Sequence, residues 1–191
     1  MDFYCDDCLR THHGADGTEH APWPVHDYLG PDVLAELGPL EMMSLFLEGG
    51  LCLVAGPEGI ECYVQVLLTL PVFGEPGRAL HYAPWARVAP EDLLEHMAAL
   101  REAERRRARR SARRRHPVLS EFDGVLATAL PDYPDSLGQP VRLIAREQGE
   151  PTTIVPDPSS EHPLARDLRD GISLQEAELR VRSLALTDLA A

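Results

Sequence analysis

LCLVAGPEGIECYVQVLLTLPVF, residues 51–73, is the most strongly patterned stretch of the chain, and its reading decides the fold. From Ile60, the residues Ile60, Cys62, Val64, Val66, Leu68 and Leu70 alternate with Glu61, Tyr63, Gln65, Leu67 and Thr69. A period of two, rich in β-branched and aromatic residues, describes a strand with one buried face. The apolar run 51–55 precedes it, and Gly56-Pro57-Glu58-Gly59 supplies turn chemistry between the two. The expectation is a β-hairpin at the centre of a sheet, ended by Pro71.

On its N-terminal side, Pro31 opens a short helix carrying Val33, Leu34 and Leu37, and Gly38-Pro39 interrupts it. Residues 40–48 read as a second set of helical turns, stopped by Gly49-Gly50. Residues 1–30 read as irregular, broken by glycines and prolines and holding four of the eight histidines. On the C-terminal side, 79–88 reads as a strand that is bulged or at an edge because of Pro84. Pro90-Glu91-Asp92 starts the longest helix, with Leu93, Leu94, Met97 and Leu100 as its apolar stripe. The segment 101–116 is an arginine-rich helix extension or a flexible segment. Residues 122–130 read as a strand, and 141–146 with 152–155 as a second hairpin. A short helix follows His162, and Ser173 with Glu176 fits a capping box before the last helix, whose inward residues are Leu174, Ala177, Val181 and Leu184. The fold class is α+β: a mainly antiparallel sheet with a central hairpin, flanked by helices, in a single domain spanning 1–191.

The chain has 191 residues, enough for one well-buried core. Its net charge of −13 disfavours general binding to nucleic acid or a membrane surface and suits a basic protein partner. All eighteen basic residues are Arg. Nine of them fall in 101–115 beside two glutamates, a local +7, so the remainder of the chain carries −20. No apolar run approaches the roughly 20 residues of a membrane span. The acidic start MDFYCDDC is unlike a signal peptide, so a cytoplasmic location is expected. Four cysteines, Cys5, Cys8, Cys52 and Cys62, do not make a disulfide framework in such a chain. Trp23 and Trp85 are read as core residues.

Two segments, FDGVLATALPDYPDSLG and SSEHPLARDLRDGIS, resemble the paired hallmarks of the bacterial family called domain of unknown function 2199. The matching positions are Leu130, Pro131, Tyr133 and Pro134, then His162, Pro163, Leu164, Gly171 and Ile172. Cys5, Cys8 and His12 match that family's opening, and Cys52 falls at a family cysteine. Leu9 stands where the family has glycine, and the arginine run has no counterpart there. The resemblance implies kinship over nearly the whole length and no particular activity.

Cys5, Cys8 and His12 form the sharpest chemical signal, a zinc-knuckle-like N-terminal loop. Zinc takes thiolate and imidazole ligands in a tetrahedron, and C-x-x-C lets two sulfurs reach one ion from a tight turn. A redox role fits less well, because Asp6 and Asp7 oppose formation of a reactive thiolate. Cys52 is the first choice for the fourth ligand, with His13, His20 and His162 behind it. Four protein ligands make a structural zinc; water in the fourth place makes a catalytic one. Asp132, Tyr133, Asp135 and His162 form a candidate binding loop, in which His162 or Asp132 could serve as general base. The alternative for this loop is a rigid proline turn, with His162 capping a helix.

These observations favour a zinc-stabilised binding or interaction module over an enzyme. One alternative is a zinc-dependent hydrolase with a three-ligand metal. Another is a nucleic-acid binder through Arg101 to Arg115, although that run has no interleaved aromatics. P-loop, dinucleotide-binding, G-x-S-x-G and H-E-x-x-H signatures are absent from the sequence.

Overall fold

A computed structural model describes residues 2–5, 10–13, 23, 25–42, 44–56, 59–75, 77–98, 120–145, 151–155 and 157–188. The predicted hairpin is present, but it takes the fifth and sixth places of seven strands rather than the centre of its sheet. β5 (Leu51–Gly56) and β6 (Gly59–Gln65) pair antiparallel, from Leu51 opposite Val64 to Gly56 opposite Gly59. They belong to a seven-stranded antiparallel sheet of order β12-β11-β10-β9-β6-β5-β4. Its other strands are β4 (Leu45–Glu48), β9 (Trp85–Val88), β10 (Ser120–Leu126), β11 (Pro140–Ala145) and β12 (Thr153–Val155). A smaller mixed sheet joins β3 (His26–Asp27), β8 (Ala79–Ala83) and β7 (Leu68–Pro71). β1 (Asp2–Cys5) and β2 (Arg10–His13) form a two-stranded ribbon. The helices are α1 (Pro39–Met42), α2 (residues 90–98), α3 (Pro163–Asp170) and α4 (Leu174–Asp188). The architecture is α+β.

The alternation read from 60 to 70 belongs to two strands rather than one. β6 ends at Gln65, and the chain turns a corner through Val66 and Leu67 into β7 of the smaller sheet. The segment paired with it turns at the same place. Pro84 separates β8 from β9, and its carbonyl accepts from the Val66 amide at 2.9 Å. Proline has no N–H for a ladder, so a sheet-to-sheet corner suits it. Alternation survives the corner because Val66, Leu68 and Leu70 all stay buried.

Residues 40–48 are also not one helix. α1 ends at Met42, and Leu45–Glu48 is the strand β4, paired with β5 across Gly49-Gly50. Both glycines have positive φ, 59° and 78°, as the tight two-residue turn of a hairpin requires. Three further expectations shift. The N-terminal 30 residues, read as irregular, contribute β1, β2 and β3. The helix after Pro31 is a 3-10 turn, Asp32–Glu36, and the strand read over 122–130 ends at Leu126. In α2, Leu93 and His96 are buried whereas Leu94 is exposed. The arginine run lies outside the described residues.

The main core lies between the two sheets and α3 and α4. Leu68, Leu70, Leu80, Leu126, Leu130 and Leu143 are fully buried in it. Each such side chain contributes about 1.5–3 kcal/mol relative to exposure. A second cluster, Cys52, Val54, Tyr63 and Trp85, covers the other face of β5, β6 and β9. Both tryptophans are buried, as expected. Among the described residues, no helix is long and apolar enough to cross a membrane.

Candidate functional site

The segment Leu130–Leu137 is a tight double turn, with prolines at 131 and 134 fixing its backbone. The Tyr133 amide donates to the Leu130 carbonyl at 2.9 Å, and the Ser136 hydroxyl accepts from the Leu130 amide at 2.9 Å. This turn aims Asp132 and Tyr133 inward and leaves Asp135 exposed, with its carbonyl accepting from Gln139 Nε2.

Tyr133 and Asp132 belong to one buried polar network organised by Arg180. Nη1 of Arg180 donates to the Tyr133 hydroxyl at 2.6 Å, and that hydroxyl donates to Oδ2 of Asp167 at 2.6 Å. Nη2 of Arg180 reaches the same Asp167 oxygen at 3.4 Å and also pairs with Glu176. Across from them, the Tyr82 hydroxyl donates to Oδ2 of Asp132 at 2.6 Å. The Arg180 guanidinium lies 4.8 Å from the centre of the Tyr133 ring. Four separate pieces of chain therefore meet at one cation: β8, the 130–137 turn, α3 and α4.

Local sequence explains how each piece arrives. Arg180 lies three residues after Ala177 and one before Val181, so helical spacing puts it on the buried face of α4. Ser173 caps that helix, accepting from the Glu176 amide at 3.2 Å. Only half of a capping box forms, because the Glu176 carboxylate pairs with Arg180 instead. At the end of α3, Gly171 has φ 83°, and a Cβ there would lie 2.6 Å from the Pro71 carbonyl oxygen. That close approach lets Ile172 and Phe73 lock α3 to β7 through Ile172 N to Pro71 O and Phe73 N to Ile172 O.

Electrostatics suit holding rather than proton transfer. Burial first, then the Asp132 hydrogen bond, pushes the Tyr82 phenol well above its ordinary value. Burial and Asp167 do the same to Tyr133. Burial works against the charge on Arg180, yet Tyr133, Glu176 and Asp132 outweigh it and raise the guanidinium. Both phenols thus stay protonated donors and Arg180 stays charged.

Next to the network, the His26 ring lies edge-on to Tyr28 at 4.7 Å and to Tyr82 at 6.2 Å. Among the described residues, the buried Tyr28 hydroxyl has no hydrogen-bond partner. Burial, then Asp132 and Asp32, raises its phenol far above the ordinary value.

The other expected site residues fall elsewhere. Nδ1 of His162 accepts from the Leu164 amide at 3.2 Å, so His162 caps α3, the alternative weighed for it above. Cys52 is fully buried beside Val54, Tyr63 and Trp85, and burial raises its thiol. Cys5 and His12 lie on the ribbon: Cys5 is opposite Arg10, and Phe3 is opposite His12. Cys8 lies outside the described residues. Among the described residues, no cluster of three His, Cys, Asp or Glu side chains is arranged to hold a metal. Arg180, Asp167 and Tyr82 were missed by sequence reasoning. Arg180 carried a signal, a charged residue on the apolar stripe of α4; Tyr82 and Asp167 carried none.

A cleft of about 920 Å³ runs along β6, β9, β10 and β11. Four carboxylates line it, Glu61, Asp92, Asp123 and Asp157, against the two guanidiniums of Arg87 and Arg142. Arg87 pairs with Glu61 at 3.7 Å and Arg142 with Asp123 at 3.9 Å, both in exposed positions.

Together, the curled antiparallel sheet and a buried arginine latch define an α+β protein whose polar centre joins chain segments. The chain belongs to the family of uncharacterized proteins conserved in bacteria, domain of unknown function 2199, whose family model matches residues 4–172. The latch residues Tyr82, Asp132, Tyr133 and Asp167 all fall inside the matched span, and Arg180 follows it. No curated protein and no solved structure matches the chain.

Proposed function

We propose that this chain is a zinc-stabilised interaction module that binds a basic protein segment. The register of the β1–β2 ribbon carries the metal half of this reading. Directly paired positions of an antiparallel ribbon share a face, and so do positions two apart along one strand. Position 5 pairs with 10 and position 3 with 12, so 5 and 12 share one face of the register; Cys8 lies outside the described residues. The donor set of two thiols and an imidazole suits zinc, and zinc would neutralise thiolates that Asp6 and Asp7 otherwise disfavour. A two-stranded ribbon alone is marginal in water, so a metal gives it a reason to persist. Cys52 remains the proposed fourth donor.

The acidic cleft supports the partner half. Its excess of carboxylates and the net charge of −13 favour a basic segment over nucleic acid. The hydrolase reading loses support, because its two candidate bases are engaged. His162 caps α3, and Asp132 accepts from Tyr82.

Metal analysis of the full chain, purified under reducing conditions, tests the reading. About one zinc per chain is expected, lost in Cys5→Ser and weakened in Cys52→Ser. A wild-type chain that carries no zinc and takes up none on titration sinks the metal half. For the partner half, an arginine-rich peptide should bind wild type and lose affinity in Asp123→Asn/Asp157→Asn. Equal affinity for both chains would remove the cleft from the proposal.

A further inference from the structure

We propose that β4 is a dimerisation edge, through which a second copy of this chain continues the seven-stranded sheet. β4 ends the sheet, and among the described residues no strand pairs with its outer side. Three of its four residues are exposed, including Phe46 at 46% and Leu47 at 45%. Edge strands of proteins that stay apart carry charges, prolines or bulges that block pairing. Here only Glu48 is charged, and it sits at the end of the strand.

Hydrogen-bond parity specifies how a second copy would pair. The two-residue turn makes Glu48 and Leu51 a hydrogen-bonded pair, and alternation makes Phe46 and Leu53 the next one. The backbone groups of Leu45 and Leu47 therefore point away from β5. An antiparallel copy related by a two-fold axis satisfies both when Leu45 meets Leu47 of the second copy, and the reverse.

That register fixes the remaining pairs. Phe46 faces its own counterpart in a non-hydrogen-bonded pair, where side chains approach closest and aromatic pairs are favourable. Glu48 falls opposite position 44, a serine, rather than opposite the other Glu48. The two Glu48 are then four residues apart, ~13 Å along the strands. That exceeds the roughly 8 Å screening length at physiological salt. The edge is thus self-complementary in backbone, apolar surface and charge, which favours a second copy over an unrelated strand. Each copy carries −13, so added salt strengthens the association.

Sedimentation of the full chain tests this, with and without added salt and up to about 100 micromolar. A dimer that tightens with salt is expected. Leu47→Pro removes an outward amide together with the exposed leucine side chain, and spares the β4–β5 hydrogen bonds. It should weaken dimerisation at least about tenfold with unchanged far-UV circular dichroism. Phe46→Cys provides a second readout that does not depend on proline tolerance. A non-hydrogen-bonded pair has Cα atoms about 4.5 Å apart, within disulfide reach. Oxidation should therefore give a covalent dimer well beyond the wild-type level. A wild-type chain that stays monomeric at every salt concentration overturns the proposal. So does a dimer that Leu47→Pro leaves intact, and so does Phe46→Cys failing to cross-link above wild type.

Discussion

The two ends of the seven-stranded sheet meet opposite fates. At β12, the outer side is engaged by the link between β6 and β7. The Leu67 amide donates to the Thr152 carbonyl at 2.7 Å, and the Ile154 amide donates to the Leu67 carbonyl at 3.1 Å. The sheet has curled until its far edge meets the corner where β6 leaves it. At β4, no described strand does the same, and apolar side chains remain in solvent on both faces. Twisted sheets can remove an edge by curling onto themselves, and the corner at Val66 and Leu67 supplies the contact that makes this possible here. The open end is left with the pairing capacity that the closed end has used.

The largest effect should come from the latch that ties the closed side together. Arg180→Met nearly keeps the volume of the side chain but leaves Asp167 and Glu176 without their cation. Removing one partner of a buried charge network costs about 3–5 kcal/mol, so urea unfolding should show a midpoint far below wild type. A loss below about 1 kcal/mol would mean that packing alone holds the closed side. A matched pair of truncations then contrasts the ends directly. Ile154→Ala, at the buried residue of the closed edge strand, should cost about 2–4 kcal/mol. Phe46→Ala at the open edge should cost about 0.5 kcal/mol or less, measured dilute enough to be monomeric. Equal costs would erase the distinction between the two edges.

Much of this was legible in the residues, and the exceptions have physical causes. The β5–β6 hairpin was readable because its turn chemistry and its period of two agree, and the β11–β12 hairpin was readable on the same grounds. The corner at Val66 was not, since side-chain alternation continues through it and only the hydrogen-bond partners change. Residues 40–48 misled because an edge strand apolar on both faces has no clean alternation, so Met42, Met43, Leu45, Phe46 and Leu47 mimic a helical stripe. The polar centre was half visible. Asp132 and Tyr133 stood out in a proline-fixed turn, whereas Tyr82 and Arg180 are 98 positions apart in the chain and meet only through the fold. His162 drew attention as a potential base, and a helix start with proline at its first position explains it fully.

The smallest effect asks whether the two ends belong to one cooperative unit. His96 on α2 is buried, with its ring 5.7 Å from that of Phe122 and Nδ1 2.9 Å from the Ser120 hydroxyl. Both partners lie on β10, between the two edges. Burial lowers the His96 pKa from its ordinary 6.5, so the folded state binds the proton less readily than the unfolded chain. The sign follows: this contribution is fully present above pH 6.5 and is lost as pH falls below it. The slope can reach at most about 1.4 kcal/mol per pH unit for one group. His81, half-buried on β8 and hydrogen-bonded to Thr69 of β7 at 3.1 Å, is lowered by burial in the same direction. His96→Gln should therefore flatten the fall in stability below pH 6.5 while changing little above it. Amide exchange in β5 and β11, followed over the same range, then separates two cases. If β10 couples the ends, protection falls in step on both strands and His96→Gln restores both. If protection falls in β11 alone, the closed side unfolds by itself, and the open edge belongs to a separately stable half of the sheet.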